Sequence, residues 1–230
     1  MRGFIKRRLS SAMRRFPMTR AATLVVDDGP SEATRLLLSR LEEAGHRAVL
    51  FVLGCNIAGR EDVLADAVRR GFALGNHSFR HPYFSTIDLE DARAEIARTD
   101  ALIDDVYTRA GMPRPGKWFR FPYLDIGGSR APEFQRLLHE LGFERPRRIA
   151  RWLRMEDPHR LDWPTTVFTR DYKLPGETAI RKSLETIRPG DVVEFHDRVD
   201  TVALYGGTLA DELTRCEVPV TLPRARERRA

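Results

Sequence analysis

Short, continuously apolar runs alternate along this chain with stretches in which apolar residues return every three or four positions. Thr23–Val26, Ala48–Leu53, Phe72–Gly75, Trp118–Phe121, Thr166–Thr169, Asp191–Phe195 and Val218–Val220 read as strands. Between them the pattern predicts helices. One follows Ser31, a candidate cap, with Leu36, Leu37, Leu38 and Leu41 before a stop at Gly45; the next is Glu61–Arg70, ended by Gly71. The longest runs from about Asp88 to Ala110, on the spacing of Leu89, Ala92, Ile96, Thr99, Ile103 and Val106, and Gly111 stops it. Pro132–Leu141, Glu177–Arg188 and a segment near Leu209 complete the set. Strands apolar throughout suit a parallel sheet covered on both faces, so the expected class is α/β. Residues 144–165, rich in Arg and Pro, show no clean period and read as an irregular excursion.

Length changes this picture little: 230 residues suit a single domain, expected over residues 21–223. A basic leader, 1–20, precedes it, and a basic tail, 224–230, is expected to be disordered. No apolar run approaches the length of a membrane span. The leader mixes Phe4, Ile5, Leu9, Met13 and Phe16 with Arg and Lys and lacks the apolar core of a secretory signal, so the expected location is cytoplasmic. Two readings of it stay open: a frayed, solvated segment, or a short amphipathic helix in weak contact with an anionic membrane surface, peripheral to the membrane. The net charge of +6 and pI near 9.7 are not accompanied by a nucleic-acid motif or by interleaved stacking aromatics, which argues against a nucleic-acid partner. Cys55 and Cys216, far apart, read as reduced and structural. Nothing sets the oligomeric state.

Four polar signals fall at the C-terminal ends of strands, the edge where α/β folds place their chemistry. They are Asp27-Asp28-Gly29-Pro30, His77-Ser78-Phe79-Arg80-His81, Arg120-Phe121-Pro122-Tyr123 and His196-Asp197. Each has a bland alternative: a turn and helix cap, a coincidental pair of histidines, a surface arginine over core aromatics, an exposed His beside a cap. Two adjacent carboxylates repel unless a cation or shared proton offsets them. On one helical turn His77 and His81 would aim at one point, and with Asp28 they would make a two-His, one-carboxylate set that leaves zinc an open position.

These four stretches, the last extended back to Gly190, resemble in order the motifs of the NodB-homology polysaccharide deacetylases, carbohydrate esterase family 4, over roughly residues 21 to 200. The resemblance implies a distorted (β/α) barrel, a divalent metal, most often Zn2+ with Co2+ or another transition metal as alternatives, and loss of an N-acyl group, acetyl first, from an amino sugar. That sugar would sit in a poly- or oligosaccharide or a lipid-linked glycan. Carried over by motif, Asp27 is the base, Asp28, His77 and His81 hold the metal, Arg120 orients Asp27, and His196 is the acid. Pro122, Tyr123, Glu194 and Trp163 would face the substrate, with the Tyr123 backbone N–H on the oxyanion. Two departures stand out. Glu194 occupies a position where the family usually has an apolar residue, so either the acyl group is not a simple acetyl or Glu194 turns to a nearby Arg. The expected partner of His196 is Asp171, beside Tyr172, because it follows a predicted strand; Asp162, beside Trp163, is the alternative. Hydrolysis of a small non-sugar amide, linear or cyclic, and metal retention without turnover are the competing functions.

Overall fold

The computed structural model describes residues 21–145, 160–216 and 218–222. The leader, the tail and most of the 144–165 excursion lie outside them. The elements are β1 (Thr23–Asp27), α1 (Thr34–Glu43), β2 (Ala48–Val52), α2 (Gly54–Ile57), α3 (Glu61–Arg69), β3 (Ala73–Asn76), α4 (Leu89–Ala110), α5 (Ala131–Glu140), β4 (Val167–Phe168), α6 (Glu177–Leu184), β5 (Val192–His196) and α7 (Val199–Arg215). The strands form one parallel five-stranded sheet, ordered β3-β2-β1-β5-β4, with β1 at its centre.

Side chains alternate across this sheet. Leu24, Val26, Leu50, Val52, Leu74, Val193 and Phe195 join a large core with Leu37, Leu38, Leu41, Ile103, Val202 and Leu209 of the surrounding helices. Val25, Val49, Phe51, Ala73 and Val192 turn the other way and close on Trp118 and Trp163. Asp27 shares the parity of Val25, and Glu194 and His196 that of Val192, so the polar residues at the strand ends crown the inner cluster. The β1–β5 register sets Val25 against Glu194 and Asp27 against His196. Gly75 is part of this packing: a Cβ there would come within 2.4 Å of the Phe51 ring, which lies across it.

The long helix begins and ends as its sequence predicts. Asp88 caps it by accepting the Asp91 N–H at 2.8 Å, and Gly111 stops it at φ 68°. Other expectations are corrected. Trp118–Phe121 forms no ladder; its contact with the sheet is the isolated bridge Asn76–Phe119, although the alternation survives in its side chains. Phe119 and Phe121 join Phe84 and Phe134 in a third apolar cluster, and Arg120 points the opposite way. Val218–Val220 likewise reduces to one bridge between Ala22 and Val220. Thr166–Thr169 shortens to two strand residues and Glu177–Arg188 to Glu177–Leu184, whereas the segment near Leu209 lengthens to Val199–Arg215. Ser31 does not cap α1, whose N-cap is Ala33. The cysteines are both free, and Cys55 is exposed.

Candidate metal and amide-hydrolysis site

His77 and His81 converge from a loop, which corrects the helical turn expected of their spacing. Ser78 and His81 adopt left-handed φ of 69° and 63°, and their neighbours across the site, Asp28 and Tyr123, take 71° and 56°. Non-glycine residues hold such angles at a cost of about 1–3 kcal/mol each, and only where the surroundings impose them. Here the surroundings are visible. The Asn76 side chain accepts the Ser78 N–H at 2.8 Å and donates to the Ile96 carbonyl at 2.8 Å. Glu95 Oε2 takes the Phe79 and Arg80 N–H groups at 2.9 and 2.6 Å, and Ser78 Oγ takes that of His81 at 3.1 Å. Asn56 donates to the Asp28 carbonyl at 2.9 Å.

One ligand atom each from Asp28, His77 and His81 lies within 4.8 Å of the other two. The two Nε2 atoms are 3.2 Å apart, and Asp28 Oδ1 is 3.7 and 3.3 Å from those of His77 and His81. His77 Nδ1 sits 2.9 Å from the Arg120 carbonyl oxygen, which accepts only, so Nδ1 carries the hydrogen and Nε2 offers a lone pair. Burial lowers the pKa of His77; it also lowers that of His81, aided by the His77 charge, to about 4. Two neutral imidazoles thus turn lone pairs on a buried carboxylate oxygen that has no hydrogen-bond donor. This set of unfilled donors fits a divalent cation.

Arg120, fully buried, ties the neighbouring groups together. Its Nε donates to Asp27 Oδ2 at 2.7 Å, Nη1 to the Trp163 carbonyl at 3.1 Å, and Nη2 to Glu194 Oε2 at 2.5 Å and to Thr165 Oγ1. One guanidinium faces two carboxylates, and they respond in opposite directions. For Asp27, burial pushes the pKa up but the Arg120 charge, with His77 and His196, outweighs it and the net shift is down. For Glu194 burial prevails over Arg120 and the pKa rises. Asp27 is therefore the more acidic of the two, and its Oδ1 is buried without a donor. Glu194 has turned to the Arg, the second of the two outcomes its position allowed.

Asp171, not Asp162, meets His196. Its Oδ1 lies 2.8 Å from His196 Nδ1 and its Oδ2 accepts the His196 N–H at 3.0 Å. Asp162 is engaged by Arg160 and Gln135. Burial alone would lower the His196 pKa; the hydrogen bond and charge of Asp171, with Asp27 and Asp28 behind them, raise it to about 9. Trp163 is fully buried against Phe51 and Trp118, so its ring is not exposed at the mouth; its carbonyl accepts from Arg120. Pro122 is buried, whereas Tyr123 is exposed, edge-on to His81 and stacked on Tyr83 at 3.9 Å. The supports Asn56, Asn76, Glu95 and Thr165 escaped the sequence reading, and Asp197, singled out there with His196, proves to be a further support. Asp197 accepts from Ser31 Oγ at 2.7 Å and Thr34 Oγ1 at 2.6 Å, and its N–H donates to the Asp27 carbonyl at 2.8 Å.

A family model described as polysaccharide deacetylase matches residues 17–145, more than half of the chain. The chain belongs to the polysaccharide deacetylase family. Among curated relatives it is 34% identical over 103 residues to chitin deacetylase 1 of Cryptococcus neoformans, a match that covers 45% of this chain and 21% of that protein. It thus spans about a fifth of that relative's length. A longer match, 26% identical over 185 residues, links it to the chitooligosaccharide deacetylase of a Bradyrhizobium species, with 78% of this chain and 71% of the relative covered. The fold is that of the family 4 carbohydrate esterase from Streptomyces lividans, at TM-score 0.69 and 24% identity, over 90% of this chain and 96% of that one. The expected α/β architecture of the polysaccharide deacetylases is therefore the one this chain adopts.

Proposed function

We propose that this polysaccharide deacetylase family member is a divalent-metal-dependent hydrolase that removes an N-acyl group, acetyl first, from an amino sugar in a glycan. The observation that carries this reading is the convergence of Asp28, His77 and His81, within 4.8 Å, beside an ionised Asp27 and a His196 held by Asp171. The names of the deacetylase relatives supply the substrate class.

Asp28 Oδ1 and the Nε2 atoms of His77 and His81 would hold the ion. When bound, zinc or a similar cation supplies Lewis acidity, which polarises an amide carbonyl and acidifies water. The chain's own groups move the protons. Asp27, with Oδ2 fixed by Arg120, has Oδ1 free to take the proton of the attacking water. The water oxygen bonds to the carbonyl carbon, with the Tyr123 N–H as the proposed donor to the carbonyl oxygen. When the carbon–nitrogen bond breaks, His196 Nε2 gives its proton to the departing amine, which could not otherwise leave near neutral pH. Asp171 holds the imidazole in the orientation and charge state this needs.

Metal analysis of the purified protein tests the ligand set. Expected are a stoichiometric divalent ion, its loss in His81→Ala, abolition of acetate release from N-acetylated amino-sugar oligomers by a chelator, and recovery on adding Zn2+ or Co2+. Bound metal without release of any acyl group, followed by mass over a panel of acetylated and formylated sugars, would favour a binding role.

The pH profile tests the acid. A His196 pKa near 9 keeps the ring protonated across the neutral range, so kcat/KM should fall as pH rises through that value. Asp171→Asn removes the main influence raising it, and the basic limb should move to lower pH; an unmoved limb would remove Asp171 from the mechanism. Stability follows the same sign. Because the folded-state pKa lies above the ordinary 6.5, the contribution is complete below about 6.5 and is lost as pH rises through about 9.

A further inference from the structure

Beside the site, on the edge of the sheet, the chain turns apolar side chains outward among cations. Phe168, on the edge strand β4, and Leu174 are each 44% exposed, and Tyr172 is 41% exposed. Residues 172 to 179 form one continuous exposed stretch. The turn that carries Tyr172 and Leu174 is bounded by two non-glycine residues in left-handed geometry, Arg170 at φ 55° and Leu174 at φ 49°. A leucine is a costly residue at such an angle, and here it is spent on holding an apolar side chain in water. Arg170 and Lys173 are exposed on the same turn, and neither has a salt-bridge partner among the described residues. Lys173 lies over the Tyr172 ring at 5.8 Å, and that ring meets His196 edge-on at 5.0 Å. Two residues beyond His196, Arg198, ion-paired with Asp200 at 3.6 Å, and then Val199, itself 54% exposed, continue the apolar and charged mixture into the first turn of α7.

We propose that this lip, Phe168, Tyr172, Leu174 and Val199 with Arg170, Lys173 and Arg198, is a docking surface for an anionic lipid surface. Aliphatic and aromatic side chains set among cations suit the boundary between phosphate headgroups and acyl chains. A glycan would use flat rings and hydrogen-bonding groups, and has no use for an outward leucine or valine. Because Tyr172 touches both the lip and His196, docking here would set the mouth of the site at headgroup level, where an amphiphilic amino-sugar substrate would present its acyl group. That last step rests on the hydrolase reading above; the surface itself does not.

Co-sedimentation of the full chain with phosphatidylcholine vesicles, with and without phosphatidylglycerol as a third of the lipid, tests the surface without turnover. Binding is expected to the anionic vesicles alone, weakened by salt. The double variant Phe168→Ser/Leu174→Ser is expected to bind at least about tenfold more weakly, and Arg170→Gln/Lys173→Gln to lose the preference for anionic lipid. Both should retain their metal and their activity on a short water-soluble substrate. No vesicle binding, undiminished binding by the serine variant, or weakened affinity of that variant for a soluble oligosaccharide would each overturn the proposal. Vesicle binding by a protein that hydrolyses nothing would overturn the hydrolase reading and leave the surface standing.

Discussion

Replacing Asp27 by Asn should lower turnover by about a hundred- to ten-thousandfold while the protein keeps its metal. The two effects separate because Asp27 and Asp28, adjacent in sequence, have different neighbours. Asp28 faces the two imidazoles, whereas Asp27 is held by Arg120 at 2.7 Å and keeps its second oxygen free. An amide oxygen still accepts the Arg120 hydrogen bond, so the packing survives; what disappears is the capacity to take a proton. Kinetics together with metal analysis of the same preparation give both readings. An Asn variant with activity close to that of the parent would remove Asp27 as the base, and one that lost its metal would place Asp27 among the ligands.

The largest stability effect is expected at Arg120. Arg120→Met keeps much of the volume but leaves Asp27 and Glu194 buried with their shared cation gone, the situation that typically costs about 3–5 kcal/mol. The Trp163 carbonyl and Thr165 hydroxyl also lose a donor. Lysine is a poor substitute, because a single ammonium cannot span the three directions in which the guanidinium donates. Adding Glu194→Gln to Arg120→Met should recover part of the loss by removing one of the stranded carboxylates. Denaturant unfolding of the two variants measures this. A loss below about 1 kcal/mol for Arg120→Met would mean that both carboxylates can be protonated or hydrated in place at little cost.

The sequence carried the sheet because an odd–even rule needs no knowledge of partners. Val25 and Asp27, or Val192, Glu194 and His196, can be assigned to one face by counting alone. The same counting puts Arg120 on the opposite side from Phe121, although the expected ladder proved to be a single bridge. Whether a segment finds a free strand edge depends on distant chain, and the local pattern is silent on that. The loop bearing His77 and His81 failed for a related reason: spacing suggested a helical turn, but the geometry is imposed by Asn76 and by Glu95, in the second turn of α4. On its own helix Glu95 has the look of an ordinary solvated acid, since the backbone hydrogen bonds it accepts come from 15 and 16 residues away. The choice between Asp171 and Asp162 turned on proximity to a strand; in the structure β4 pairs with β5 and sets Thr169 and Asp171 beside His196. Trp163 misled because its neighbour Asp162 had the right residue types and the wrong surroundings.

The parity that crowns the inner cluster with Asp27, Glu194 and His196 also restricts how relatives of this chain can drift. One residue gained or lost within β5 would present Val193 and Phe195 in place of Glu194 and His196, exchanging proton-handling groups for hydrocarbon in a single event. Mutational tolerance should accordingly be divided: insertions and deletions gather in the connections between elements, while the strands that end at the site keep their length even where most of their letters change.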